Sequence, residues 1–436
     1  MARLPTPGSD AGNWGTILNE YLEKNISNVA NVKGFGAIGD GTTDDTAAIQ
    51  EALTAAQLTG GIVFFTSGTY KINLGRLTYS SLLPISLIGS GWTSKLLWNP
   101  ATDSPAQNLG MLNIYGTGDA DALHCTHVLI RDLAFDFGGS RSGSWSTNKR
   151  GINIYNSDDI RIEGCYLKGA KGEMLGLGNF GSPTTPGNRA FILGNTFYDF
   201  AQDGLNPNVF NAIIKGNSFR KGVIGIEAGR FYLTITGNDF SDLTGAGIKV
   251  ASVDHFVITD NKFYDCINDG TGFSSAVGSI FICGQGSNDP STNGVISGNS
   301  IVNTSRHAFQ AGIVALRGTS TTTSSRIQIE GNTIYGPQQG IYIAGLDDSV
   351  IRGNYVIPNG GSTGIVCDNT VYVNRNIVTG NHVPGTWTNK AYEDATPADQ
   401  GNQFYLNFGS HEEFEDSPIY SVKLFGATGN GTTDDT

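Results

Sequence analysis

The sequence predicts an all-β chain wound as a right-handed parallel β-helix, with a short N-terminal capping helix. Two recurring phrases and an excess of glycine carry that expectation. The first phrase is an apolar residue, a spacer, Gly-Asn, a spacer, then an aromatic or aliphatic residue, seen in full as Ile192-Leu193-Gly194-Asn195-Thr196-Phe197. It returns at Asn217/Phe219, Asn238/Phe240, Asn261/Phe263, Asn299/Ile301, Asn332/Ile334, Asn354/Val356 and Asn381/Val383. The steps between these Asn residues are 22, 21, 23, 38, 33, 22 and 27, a base period with inserts. Such a period marks a solenoid.

The second phrase reads Gly-Ile-x-aliphatic: Gly151-Ile152-Asn153-Ile154, Gly225-Ile226-Glu227-Ala228, Gly247-Ile248-Lys249-Val250, Gly312-Ile313-Val314-Ala315, Gly340-Ile341-Tyr342-Ile343 and Gly364-Ile365-Val366-Cys367. Both phrases alternate apolar and polar residues and are too short for helices, so each period holds at least two short strands. Stacked at the strand spacing of about 4.8 Å, equivalent residues form ladders. The Asn residues are expected at a turn, tolerating the left-handed conformation and bonding the next rung. Phe197, Phe219, Phe240 and Phe263 are expected to stack inside. The crossover rule sets the right hand. Gly is 60 of 436 residues, about twice ordinary usage, as tight corners demand.

In chain order, residues 1–30 form a leader, turn-rich and then helical over Thr16 to Lys24. The stretch Asn31-Val32-Lys33-Gly34-Phe35-Gly36-Ala37-Ile38-Gly39-Asp40-Gly41-Thr42-Thr43-Asp44-Asp45-Thr46 follows, then Ala47 to Leu53. Thr43 or Asp44 caps a helix from about Asp45 to Leu58, which covers the open end of the solenoid. Asp40, Asp44 and Asp45 read as caps and turns. Gly61–Phe65 and Gly68–Ile72 are first strands, Leu87–Trp92 the next coil. Val128–Phe135 repeats the phrase with Leu133 in place of Asn. Residues 138–149 form a Gly/Ser loop with Trp145, and nine coils run from Gly151 to about Trp387. Inserts at about 179–189, 268–276, 284–293 and 318–325 shape one side. The β-helix is assigned to 31–405 and an acidic linker to 406–420. Residues 421–436 begin a second, truncated β-helix, because Val422–Thr436 matches Val32–Thr46 at 12 of 15 positions.

The opening stretch and the coils together resemble the pectate-lyase superfamily over roughly residues 31–387, in particular its phage tailspikes, polysaccharide depolymerases and tandem β-helix glycanases. That resemblance implies a polysaccharide partner, a homotrimer, attachment to a virion or cell through residues 1–30, and an extracellular, virion or cell-surface location. The N-terminus lacks the apolar core of a secretory signal. No apolar run is long enough to cross a membrane. A net charge of −12 argues against nucleic acid or an anionic membrane as partner. The five cysteines, Cys125, Cys165, Cys266, Cys283 and Cys367, lack metal spacing and read as packed thiols, Cys165 in an Asn position.

Winding brings outward polar residues of neighbouring coils together. The position after Gly-Ile runs Asn153, an unplaced coil within Glu173–Gly178, Asn206, Glu227, Lys249, then Phe281, Val314, Tyr342 and Val366. With Asp203 and Arg230 added, the catalytic candidates are Asp203, Glu227 and Lys249. Asn153, Asn206, Arg230 and Tyr232 are the substrate-binding candidates. Two carboxylates one coil apart suit the acid and the base or nucleophile of a glycosidase, with Lys249 holding Glu227 ionised and Asp203 the acid. In β-elimination on a uronic acid, Lys249 or Arg230 becomes the base, and the carboxylates hold a cation such as Ca2+. Otherwise no cofactor or metal is expected. The third reading is a glycan-binding fibre or adhesin without catalysis, with Glu227–Lys249 an inter-coil ion pair. Ser157-Asp158-Asp159 reads as a turn. His124 and His127 project to opposite faces of a strand and form no metal site. His255 and His307 stand alone. Trp145, Phe231, Tyr232 and Tyr342 are candidate sugar-stacking rings.

Overall fold

The computed structural model describes residues 28–394 except 74–76, 99–109, 119, 140–149, 179–186, 267–276, 284–289, 305–309, 317–322, 360–363, 368–374 and 384–391, together with 12–13, 17 and 403–405. Most of the leader, Trp145, the tips of the inserts, His307, the acidic linker and the repeated opening at 421–436 lie outside the described residues.

The chain is a right-handed parallel β-helix, as its phrases predict. The expected minimum of two strands per coil is met with a third, on a separate face. The coil around Asn217 shows the order: Asp203–Pro207 on a front face, Phe210–Lys215 on a second face, Ser218–Gly222 on a third. Every described pairing is parallel and joins one coil to the next, as in Phe197↔Phe219 and Phe219↔Phe240. The third face forms a separate 12-stranded sheet. Front and second faces merge into one sheet, because Ile224–Thr236 and Ile248–Thr259 turn the corner as continuous strands.

The first phrase spans two faces, not one. Ile192 and Leu193 end a second-face strand, and Thr196 and Phe197 lie on the third. The Gly between them takes the left-handed conformation: φ is 63° at Gly194, 67° at Gly216 and 63° at Gly237. This corrects the expectation that Asn would adopt it. Asn instead points inward and builds the rungs. The Asn217 amide N–H donates to Asn238 Oδ1 at 2.8 Å, and Asn238 Nδ2 donates to the Ile214 carbonyl at 3.0 Å. The same pattern runs from Asn195 to Asn381. Cys165 occupies the position before Asn195, its N–H donating to Asn195 Oδ1. Buried backbone groups at the corner are thereby satisfied.

Inside, Phe197, Phe219, Phe240 and Phe263 stack with centroids 4.5, 5.0 and 4.8 Å apart. Gly225 and Gly247 of the second phrase face this file, while Gly151 faces Phe137, Gly312 faces Ile334 and Gly340 faces Val356. A Cβ on Gly225 would lie 2.7 Å from the Phe240 ring and 2.5 Å from the Gly247 carbonyl. The two phrases are therefore complementary halves of one contact, ring against absent side chain. The thiols of Cys125, Cys165, Cys266 and Cys283 are free and buried, as expected.

The N-terminal end is closed by the helix Thr46–Thr59, which buries Ile49, Ala52, Leu53 and Ala56. On the second face strands begin at Val29–Asn31, within the segment assigned to the leader, and on the third at Asp40–Asp44. The front face begins only at Leu77–Ser80, and the helix packs where its preceding strand would lie. Gln50 mimics that strand: its Oε1 accepts from the Thr78 N–H and its Nε2 donates to the Thr78 carbonyl, both at 2.8 Å. The three aspartates serve turns and the helix entry, but the N-cap position is Asp45, which makes no side-chain cap bond, and not Thr43 or Asp44 as expected. Asp44 accepts from the Thr46 N–H, and Asp45 from the N–H groups of Ile38 and Gly39. The N–H groups of Thr43 and Thr42 push Asp40 far below the usual carboxylate range.

Candidate functional site

The front face places one residue per coil beside the next. Register pairs Asn153 with Gly176, Gly176 with Asn206, Glu227 with Lys249 and Lys249 with Phe281. Leu205↔Ile226 puts Asn206 beside Glu227. The ladder read from the sequence is the ladder of the fold, and its unplaced coil is resolved to Gly176. Beyond Lys249 the row turns apolar. Phe281 and Val314 join Ala246, Ala251, Cys283 and Ala311 in a second, smaller cluster outside the main core.

The polar segment contains a compact charged group. Lys249 Nζ stands 2.6 Å from Glu227 Oε1, with side chains 15% and 17% exposed. This contact is closer and drier than an ordinary surface pair. Asp203 opens the front strand of the preceding coil and is 0% exposed, with neither carboxylate oxygen hydrogen-bonded as an ion. Burial, then the negative charges of Glu227 and Glu173, push its pKa well above the ordinary value. A proton on Asp203, donated toward Glu227, resolves the orphaned oxygens and the repulsion together. Lys249 is held protonated by Glu227 against the opposing effect of its burial.

Sequence reasoning missed two members. Leu175 pairs with Leu205 and the Met174 N–H donates to the Asp203 carbonyl, so Glu173 falls on the rung before Asp203. Ile152↔Leu175 likewise sets Arg150 beside Glu173. Arg150 Nη2 stands 3.1 Å from Glu173 Oε1, both side chains under one-tenth exposed. Burial raises Glu173 to about 6, with Arg150 opposing. Met174 hid this coil, because it occupies the slot that is Gly in the second phrase. The one available signal was an acidic residue just before that slot in two successive coils, Glu173 and Asp203.

The remaining candidates are more dispersed. Asn153 is buried two rungs before Asn206, about 10 Å away along the axis. Asn206 accepts from Asn208 Nδ2 at 2.7 Å. Arg230 follows Glu227 at the corner, at φ 112°, a strained backbone for any L side chain, and at a shift in register. Tyr232 lies past the corner, 54% exposed, its ring 5.2 Å from that of His255. Phe231 stacks on Phe210. His124 is buried with Nδ1 3.4 Å from Asp158, whereas His127 is exposed beside Asp159. The two histidines thus part to different faces, as expected. Asp158 and Asp159 lie on a strand rather than a turn and pair with neighbouring coils. Among the described residues no three His, Cys, Asp or Glu side chains are grouped to hold a metal ion. No helix there is long and apolar enough to cross a membrane.

Comparison with known proteins agrees with the architecture. The family described as rhamnogalacturonase A/epimerase, pectate lyase-like matches residues 29–272, and a right-handed β-helix region matches 234–410. Mannuronan C5-epimerase AlgE1 of Azotobacter vinelandii is 34% identical over 111 residues, which are 21% of this chain and 8% of that protein. The chain thus matches only a small part of such relatives. Among solved structures, the surface adhesin PfbA of Streptococcus pneumoniae superposes with a TM-score of 0.58 at 17% identity, over 86% of this chain and 99% of that one. The Dettilon tailspike protein gives 0.59 at 16% identity, over 92% and 72%. At these identities the likeness is one of fold.

Proposed function

The chain belongs to the rhamnogalacturonase A/epimerase, pectate lyase-like family, and from that premise we propose that it cleaves a polysaccharide by hydrolysis at the Asp203–Glu227–Lys249 cluster. The observation that carries the proposal is the 2.6 Å Lys249–Glu227 contact beside a wholly buried Asp203, whose pKa burial and the charge of Glu227 push well above its ordinary value. A neutral carboxyl beside a charged one is the division that acid-catalysed glycoside cleavage requires. Asp203 has no exposed surface, so Glu227 is the member that meets the sugar and Asp203 supplies it with a proton. The glycosidic C–O bond breaks, the departing oxygen takes the proton of the pair, and water gives its hydroxyl to the anomeric carbon and its remaining proton back to the pair. Lys249 balances the charge of Glu227 throughout. Asn206 and Arg230 flank this point and are assigned to hold sugar hydroxyls, with Asn153 and Tyr232 further along the face.

Elimination with Lys249 as base is disfavoured, because Glu227 holds that amine in its protonated form. Incubation of the protein with a panel of polysaccharides tests the reading. New reducing ends without ultraviolet-absorbing double bonds are expected, and their loss in Glu227→Gln. Unsaturated products would reject hydrolysis. Binding of a glycan with no product of any kind would favour the non-catalytic fibre or adhesin instead. We extend the proposal to a homotrimer on a virion or cell surface, attached through residues 1–30. A solution mass of 46.1 kDa rather than three times that value would reject the trimer.

A further inference from the structure

Five successive coils each contribute one charged or ionisable group to the front face, in a row that steps sideways by three residues between Asp203, which pairs with Ile224, and Glu227, which lies beside Asn206. In order they are Arg150, Glu173, Asp203, Glu227 and Lys249. The two ends are cations, each in contact with a carboxylate: Arg150 with Glu173 at 3.1 Å and Lys249 with Glu227 at 2.6 Å. Asp203 lies between the two carboxylates with no cation of its own. Glu173 Oε2 and both Asp203 oxygens are buried without a hydrogen-bond partner, as is Gln202 Oε1 beside them. With one proton on Asp203 the row reads plus, minus, neutral, minus, plus, and sums to zero. Without that proton a buried row carries a net negative charge, which burial strongly disfavours.

We propose that Glu173, fixed by Arg150, is a positioning residue that keeps one proton on the Asp203–Glu227 pair. For its kinetic consequence the proposal rests on the hydrolytic reading above. Glu173 sits one coil before Asp203, on the opposite side of it along the axis from the partly buried Glu227. Its charge opposes loss of the Asp203 proton to solvent, yet leaves transfer to Glu227 open. In that transfer the Asp203 O–H bond breaks, its electron pair stays on Asp203, and a new O–H bond forms on Glu227. The proton passes on to the departing sugar oxygen, and the negative charge left on Asp203, facing Glu173, favours return of a proton to the pair from the attacking water. Arg150 prevents Glu173 from taking that proton itself. The other ionisable neighbour is Cys283, near Lys249, whose thiol is pushed up to about 11 and stays neutral throughout.

Infrared difference spectroscopy across a pH titration tests this without substrate. The protonated-carboxyl band of Asp203, identified by its loss in Asp203→Asn, should persist well above the pH at which an ordinary carboxyl ionises in the unaltered protein. In Glu173→Gln the band should vanish at a pH lower by about one unit or more, the effect of removing a like charge. Glu173→Asp keeps the charge and should titrate like the parent. If Glu173→Gln does not fold, Arg150→Gln gives the same reading, since an unpaired Glu173 becomes neutral and releases Asp203. The kinetic arm expects the alkaline limb of the pH–rate profile to move in step with the band. An unmoved band in a folded Glu173→Gln protein would overturn the proposal. A shifted band in a protein that cleaves no glycan would instead retain the proton row and reject the hydrolytic reading.

Discussion

Replacement of Asn238 by Ala tests the physical basis of the coil corners. Asn238 Oδ1 accepts from the Asn217 N–H at 2.8 Å, and its Nδ2 donates to the Ile214 carbonyl at 3.0 Å. Both backbone groups are sealed from water, Asn217 being 1% and Ile214 0% exposed. Alanine strands both. A buried polar group left without a partner costs about 1–3 kcal/mol, so two cost about 4 kcal/mol. Asn217 Nδ2 also loses one partner but keeps the Ile192 carbonyl at 2.8 Å, which adds little. Urea unfolding followed by circular dichroism measures the total. Amide exchange at Asn217 measures the local opening, which matters because coils of a solenoid need not unfold together. Ser241→Ala on the neighbouring strand, which removes a single exposed bond from Arg220, is the control and should cost under about 1 kcal/mol. A loss in Asn238→Ala no larger than in the control, with Asn217 exchange unchanged, would refute the ladder as a source of stability.

Three further outcomes are expected. Gly225→Ala drives a methyl into the Phe240 ring and the Gly247 carbonyl and should cost about 1–3 kcal/mol in the same assay. Cys165→Asn adds one rung below Asn195, replacing a 3.7 Å thiol contact to the Ile130 carbonyl with an amide donor. A gain of about 1 kcal/mol, read as a raised melting temperature, is expected. Glu173 has its folded pKa raised from 4.5 to about 6, so the folded state holds this proton more tightly than the unfolded one. Its contribution is full below pH 4.5 and is lost as pH rises through about 6, a change of about 2 kcal/mol. Chemical denaturation at pH 4.5 and 7 should show a loss smaller by about that amount or more in Glu173→Gln than in the parent, the remainder belonging to Asp203, whose folded pKa is also raised.

Much of this was legible because winding converts sequence steps into vertical neighbours. The row through Asn206, Glu227, Lys249, Phe281, Val314 and Tyr342 needs only the recurring Gly-Ile pair to be aligned. The coil of Met174 escaped because a large side chain there erased the marker, and with it went Glu173 and Arg150. The third face escaped for a different reason. A left-handed Gly turns the corner within one residue, so the in-out alternation from Ile192 to Phe197 runs on unbroken and reads as a single strand. The backbone role assigned to Asn belonged to the Gly before it, because both residues suit a corner and only geometry separates turning from bonding. That Asp203 would be wholly buried could not be read from spacing. It lies three residues before the outward ladder position, at the first residue of the strand Asp203–Pro207.

The paired 2.8 Å bonds from Gln50 to Thr78 give the molecule a blunt tip. A sheet whose terminal N–H and C=O stay vacant is a template, and a second copy can dock on it and lengthen it. Here one planar carboxamide plugs both valences at Thr78, while the helix that carries it fills the space a foreign strand would need. Accretion of copies at this tip is thereby blocked by a side chain, and Gln50→Ala is the substitution that would unstopper it.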